Sequence, residues 1–146
     1  MTLYLDTSSL VKLYVAEPGR DAVCRLVNQA TVVATSGIAY PEMRAALARR
    51  WRERALSRAA FTLATRAFED DWSRYLAVDV SASICREAGD LAERYRLRGY
   101  DSVHLASYLE VARRAGLAET RFSSFDERLN RAARAAVRAM ARASRR

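Results

Sequence analysis

Leu3-Tyr4-Leu5-Asp6-Thr7-Ser8-Ser9-Leu10 decides how this chain is read. A short apolar run ends on an acid, and three hydroxyl residues follow it. The run reads as a buried strand. Thr7, Ser8 and Ser9 can cap a helix that continues through Leu10, Leu13 and Tyr14. A strand that passes into a helix within a few residues opens an α/β unit, and the alternation recurs along the chain.

Pro18-Gly19 makes a turn before a helix over Arg20 to Gln29, and Thr31-Val32-Val33-Ala34 reads as a second strand. Ser36 or Gly37 opens a third helix with Met43, Leu47 and Trp51 on its apolar stripe. Ser57 caps a fourth helix carrying Phe61, Ala64 and Phe68. Tyr75 to Val80 reads as a third strand. Ser81 opens a helix with Ile84, Ala88, Leu91 and Tyr95 at helical spacing, which Gly99 breaks. The next helix starts near Asp101, holds Leu105, Tyr108, Leu109 and Ala112, and ends at Gly116. Thr120 to Ser124 is a fourth strand, and Asp126 begins the last helix. Strands separated by helices imply parallel pairing and a sheet covered on both faces. The expectation is a three-layer α/β sandwich with a short, mostly parallel sheet of about four to five strands, forming one domain over residues 1–146.

Composition sets the remaining bounds. A chain of 146 residues buries about 70% of its unfolded surface and needs neither disulfide nor metal to fold. No apolar run of about 18 residues is present, so nothing is expected to span a membrane. No basic segment followed by an apolar stretch opens the chain, and the cytoplasm is the expected compartment. Cys24 and Cys85 lack CxxC spacing and read as buried thiols, with a disulfide as the alternative. The net charge is +8, and no acid follows Glu127. Seven arginines do (128, 131, 134, 138, 142, 145 and 146), so the tail carries seven of the eight charges. Such asymmetry fits a polyanion or an acidic protein partner, or a genome rich in Arg and Ala codons.

Acids stand where an α/β sheet places its sites, beyond the carboxyl ends of the strands. Asp6 follows the first strand, Asp101 opens a helix, and Asp126 follows the fourth strand. Glu42 lies one turn into the third helix, beside its apolar stripe. Singly, the three Asp could be helix caps or first-turn acids, and Glu42 a solvated helix residue. Jointly they fit one pocket. Four clustered carboxylates repel one another unless a cation intervenes. Mg²⁺ suits oxygen ligands and keeps several waters, and Mn²⁺ accepts similar ligands. With one His and no cysteine cluster, a Zn site is not expected. A carboxylate-bound ion can activate water and stabilise charge on a transferring phosphate, with no nucleophilic side chain.

The motifs resemble those of PIN-domain proteins. Leu3-Tyr4-Leu5-Asp6-Thr7-Ser8-Ser9-Leu10-Val11-Lys12-Leu13-Tyr14 is similar to their opening, and Tyr40-Pro41-Glu42-Met43-Arg44-Ala45-Ala46-Leu47 to their second acidic motif. Arg98-Gly99-Tyr100-Asp101-Ser102-Val103-His104-Leu105-Ala106 resembles the third, and Arg121-Phe122-Ser123-Ser124-Phe125-Asp126-Glu127-Arg128-Leu129 the fourth. Size and motif wording look most like VapC-type toxins of toxin–antitoxin pairs. The resemblance implies a PIN-like fold and a Mg²⁺- or Mn²⁺-dependent endoribonuclease. It also implies a cognate antitoxin that blocks the site, and a homodimer. Catalytic and metal-binding roles carry over to Asp6, Glu42, Asp101 and Asp126. Thr7, Ser9 and Ser124 could supply supporting hydroxyl donors; Ser124 stands where Thr is commoner.

Other features are weighed beside these. His104, one turn after Asp101, reads as a hydrogen-bonded supporting residue or, less simply, a general base. From about 126 to 143 a basic amphipathic helix is expected, with Arg128, Arg131, Arg134, Arg138, Arg142 and Arg145 on one arc. Leu129, Ala132, Ala133, Ala136, Val137 and Met140 occupy the other. Arg128, Arg131, Arg134 and Arg138 could contact an RNA backbone or simply be solvated. The mostly Ala face lacks the aromatic anchors of a membrane-binding helix. Tyr4, Tyr14, Tyr40, Trp51 and Trp72 fit packing better than base stacking. The Asp70-Asp71 pair beside Glu69 reads as a solvated helix end. Ser8 excludes an Asp-x-Asp phosphatase, and no GxxxxGK[ST] run exists. The alternative is a non-catalytic PIN-like module that binds nucleic acid or protein.

Overall fold

The computed structural model describes residues 1–145; Arg146, the last arginine of the tail, lies outside them. Four strands, β1 (Thr2–Leu5), β2 (Val32–Ser36), β3 (Leu76–Val78) and β4 (Thr120–Ser123), form one sheet in the order β3-β2-β1-β4. Every pairing is parallel, with Thr2 opposite Val32 and Thr120, and Ala34 opposite Leu76. Among the described residues seven helices accompany the sheet: α1 (Thr7–Leu10), α2 (Arg20–Gln29), α3 (Ala39–Arg52), α4 (Arg58–Trp72), α5 (Ala82–Tyr95), α6 (Gly99–Ala115) and α7 (Glu127–Ala143).

The period-2 alternation of β1 divides the interior. Leu3 and Leu5 face a core built with Leu10, Met43, Leu47 and Phe68 of α1, α3 and α4. Tyr4 faces the opposite core, with Ile84, Leu91, Leu105, Leu109 and Leu129 of α5, α6 and α7. Leu3, Tyr4 and Leu5 are all fully buried, so β1 is the centre of three layers. Because the strands run the same way, their carboxyl ends share one edge. Asp6 sits on that edge, its N–H donating to the Ser123 carbonyl (3.2 Å) just past the β1–β4 ladder.

Local details differ from the sequence pattern where side chains compete for the backbone. Asp6, not a hydroxyl residue, caps α1, because its extended backbone puts a carboxylate oxygen in reach of the Ser9 N–H. That helix tightens into a 3₁₀ turn over Val11–Leu13 instead of continuing to Tyr14. Ile38 rather than Ser36 or Gly37 precedes α3, and Trp51 at its far end is 41% exposed, stacked on Phe61. Gly99 breaks nothing: it is the first residue of α6. The break falls at Arg96, in the left-handed region (φ 54°), which lets Leu97 turn back into the core. β3 is shorter than the run Tyr75 to Val80, because Ser81 already caps α5. Cys24 is half-buried and Cys85 exposed; both are free, where two buried thiols were expected.

Candidate active site

The carboxyl edge of the sheet carries a rim of acids. Asp6 is its most buried member at 4% exposure. Oδ1 accepts from the Ser8 hydroxyl (2.7 Å) and the Ser9 N–H (3.0 Å), and Oδ2 accepts from the Ser124 hydroxyl (2.6 Å). Burial pushes its pKa up, while Ser124, Ser8, His104 and the Ser9 N–H pull the other way. These hydrogen bonds orient the carboxylate. The hydroxyls and the N–H that make them carry no net charge and so add no counter-charge to Asp6.

Glu42 comes from the first turn of α3. Its Oε1 accepts from the Thr7 hydroxyl (2.7 Å) and faces His104 Nε2 (2.7 Å). A carboxylate only accepts, so Nε2 carries the proton toward it. His104 is 2% exposed, and its Nδ1 lies 2.9 Å from the Tyr4 hydroxyl. Burial raises the Tyr4 pKa well above 10.0, so the phenol keeps its proton and faces Nδ1 with it. The chain Tyr4–His104–Glu42 thus runs from the core to the rim.

Asp101, in the first turn of α6, and Asp126, the cap of α7, form the other half. Arg98 lies between them: Nε donates to Asp101 Oδ2 (3.1 Å), and a terminal nitrogen reaches Asp126 Oδ2 (3.5 Å). Burial raises the Asp101 pKa, Arg98 opposes the rise, and Asp126 adds to it. Asp126 Oδ1 accepts from the Leu129 N–H, and its own N–H donates to Ser124 Oγ (3.0 Å). Ser124 therefore links Asp6 to Asp126 across β4.

Among the described residues, no three acidic, His or Cys side chains close into a cage for a cation. The donor set nevertheless fits Mg²⁺ or Mn²⁺. All the candidates are hard oxygens, and Mg²⁺ asks for only one or two carboxylates because it keeps its own waters. The hydrogen bonds to Glu42 use Oε1, and the Arg98 contact to Asp101 uses Oδ2. A cleft of about 670 Å³ lies elsewhere, among Thr2, Val32, Leu76, Glu87 and Arg113, at the starts of β1 and β2.

The other expected residues divide. Thr7, Ser124 and His104 support the acids directly. The Ser9 hydroxyl does not: it pairs with Ser123 Oγ (2.9 Å), and only the Ser9 backbone reaches Asp6. Ser8 takes that role, and Arg98 is a second participant that the sequence pattern did not single out. Both stand inside the acidic motifs, which was the available signal. Arg128, Arg131, Arg134 and Arg138 are exposed along α7, with Arg134 paired to Glu127. The opposite face, Leu129, Ala132, Ala133 and Ala136, is buried. Tyr4 is buried, and Tyr40 and Trp72 pack on Phe68. Glu69 and Asp71 are not merely solvated: Glu69 binds Tyr40 and Arg44, and Asp71 accepts from Tyr14.

Comparison with known proteins agrees with this architecture. A PIN domain family model matches residues 3–135. Ribonuclease VapC45 of Mycobacterium tuberculosis (strain CDC 1551 / Oshkosh) and ribonuclease VapC49 of Mycobacterium tuberculosis (strain ATCC 25618 / H37Rv) are each 39% identical over 109 residues, 75% of this chain and 76% of theirs. The crystal structure of Mycobacterium tuberculosis VapC20, a sarcin–ricin loop cleaving toxin, aligns with a TM-score of 0.65 at 21% identity. That alignment covers 89% of this chain and 94% of VapC20, and it establishes the shared fold. No helix among the described residues is long and apolar enough to cross a membrane. From its opening strand well into its basic tail, the chain belongs to the PIN domain family.

Proposed function

We propose that this protein is a Mg²⁺- or Mn²⁺-dependent endoribonuclease, the toxin of a type II toxin–antitoxin pair, with Asp6, Glu42, Asp101 and Asp126 as its metal-binding and catalytic acids. The observation that carries the reading is the rim itself. A PIN fold brings four carboxylates, two of them with raised pKa values, to one sheet edge. The names of the VapC45 and VapC49 relatives support the activity. A simple polyanion binder would gain nothing from acids clustered at its site, which weighs against the non-catalytic alternative. The reading brings with it an RNA substrate, a cognate antitoxin, a homodimer, a cytoplasmic location and one domain over residues 1–146.

A hard divalent ion would lower the pKa of attacking water and offset charge on the phosphoryl oxygens. The chain's own residues prepare for that. Ser8, Ser9 N–H and Ser124 fix the Asp6 carboxylate, and Thr7 and His104 fix Glu42. Fixing both in advance avoids reorganisation during the reaction. Arg98 holds Asp101 and Asp126 against their mutual repulsion. The exposed arginines 128, 131, 134 and 138 suit the phosphate backbone, where each contact adds salt-dependent affinity.

The test is cleavage of total RNA by purified protein freed of any co-purifying partner, with Mg²⁺, Mn²⁺ or EDTA, beside Asp6→Asn. Cation-dependent cuts missing from the variant support the reading. Cuts that survive both EDTA and the substitution refute it.

A further inference from the structure

Among the described residues, three aromatic side chains are more than two-fifths exposed: Trp51, Tyr100 and Phe125. Trp51 stacks on Phe61 at the end of α3. The other two adjoin the acidic rim, Tyr100 immediately before Asp101 and Phe125 immediately before Asp126. Each forgoes the favourable burial its ring area would supply (43% and 48% exposed).

The Phe125 ring is not loosely held. The Phe125 N–H donates to Ser8 Oγ (2.9 Å), the hydroxyl that also binds Asp6. The Phe125 ring edge abuts Gly19, where an added Cβ would fall 2.6 Å from Cε1, and Gly19 has a positive φ of 95°. No side chain fits there without displacing the ring. Lys12 Nζ, mostly buried and ion-paired with Glu17 (3.3 Å), lies 4.4 Å from the Phe125 centroid and backs the ring. Tyr100 has the matching partner: the Arg98 guanidinium carbon is 5.1 Å from its centroid. Each half of the rim therefore shows an exposed aromatic ring with a cation beside it.

We propose that Tyr100 and Phe125 are stacking platforms for unpaired nucleobases next to the reacting phosphodiester. This rests on the ribonuclease reading for the position of the phosphate. A single RNA strand presents flat base faces, and an exposed aromatic ring is complementary to them. Bases inside a duplex hide both faces in the stack, so these platforms favour loops and single strands.

The test is fluorescence anisotropy of labelled oligoadenylate, oligouridylate and a matching abasic strand. Ca²⁺ replaces Mg²⁺ to support phosphate binding, and gels confirm that the probes stay intact. Tyr100→Ala and Phe125→Ala each weaken oligonucleotide binding by about 5- to 150-fold, the loss expected for one stacked base. Tyr100→Phe and Phe125→Tyr, which keep the ring, restore it. The abasic strand binds wild type and both alanine variants alike, which separates stacking from misfolding. Alanine variants that bind oligoadenylate as wild type does, or that lose abasic binding equally, overturn the proposal. Wild-type protein that stacks bases yet cuts no RNA would defeat the nuclease reading alone. Protein that cuts RNA with unaltered binding by the alanine variants would defeat this inference alone.

Discussion

The two halves of the rim solve like-charge repulsion differently. Asp6 and Glu42 are held by hydroxyls, an N–H and an imidazole, all of them hydrogen-bond donors at short range. Asp101 and Asp126 share a guanidinium that is 60% exposed. The first half is oriented with little counter-charge, so an incoming divalent ion supplies what is missing. The second half already has a cation, which an incoming ion must outcompete. Under the proposed function, the rim would attract a metal on one side and resist it on the other.

The largest effect is expected from removing an acid. Asp6→Asn or Asp101→Asn should lower metal-dependent RNA cleavage on the order of 10²- to 10³-fold or more, measured by single-turnover gel assays. Retained rates in both would mean that neither half binds the ion. Next come the orienting donors. Ser124→Ala removes the hydroxyl that Asp6 and the Asp126 N–H share, and should cost about 10- to 100-fold in Mn²⁺ affinity, read by electron paramagnetic resonance of free Mn²⁺. His104→Ala should fall at the lower end of that range, because Thr7 still holds Glu42.

Acidity sharpens the contrast through opposite signs. The folded pKa values of Asp6 and Asp101 lie above the ordinary 3.8. Between the unfolded and folded values the native state binds the extra proton, so stability falls as pH rises through that window and returns as pH drops. Cation binding needs the ionised acids, so cleavage is lost over the same descent. Denaturant melts in EDTA, compared between wild type and Asp6→Asn, should show a flatter pH dependence in the variant. An unchanged slope would remove Asp6 from the account. The smallest effect belongs to Arg98. Because exposed ion pairs contribute about 0.2–1 kcal/mol, Arg98→Gln should tighten Mn²⁺ binding only about 1.5- to fivefold. Weaker binding would make Arg98 a helper of the metal rather than its competitor.

Most of the fold was legible because period and punctuation agree. Arg20 to Gln29 appears with those bounds, and Ser57, Ser81 and Gly116 mark helix ends as their chemistry predicts. Asp6 and Asp126 were legible because each follows a strand, and Asp101 and Glu42 because each sits in the first turn of a helix. What escaped was direction. Thr7, Ser8 and Ser9 are chemically alike in sequence, yet one turn of helix sends them to Glu42, Asp6 and Ser123 respectively. Arg98 and Tyr100 carry no role in the sequence pattern, because a surface guanidinium or ring acquires meaning only from its neighbours. Gly99 drew attention as a breaker while Arg96 adopted the left-handed turn, since burying Leu97 outweighed the residue's intrinsic reluctance.

The Tyr4–His104–Glu42 chain has a consequence for how this protein can vary. Tyr4 packs against Tyr108 and Phe122 inside one of the two cores, and its hydroxyl reaches the imidazole that faces Glu42. A substitution at Phe122 or Tyr108 would touch no carboxylate, yet could let Tyr4 shift and with it the Glu42 rotamer. A screen for folded but inactive variants should therefore recover hits in the interior as well as at the rim. Drift in this core is constrained twice, once by the need to fold and once by an enzyme site several side chains away.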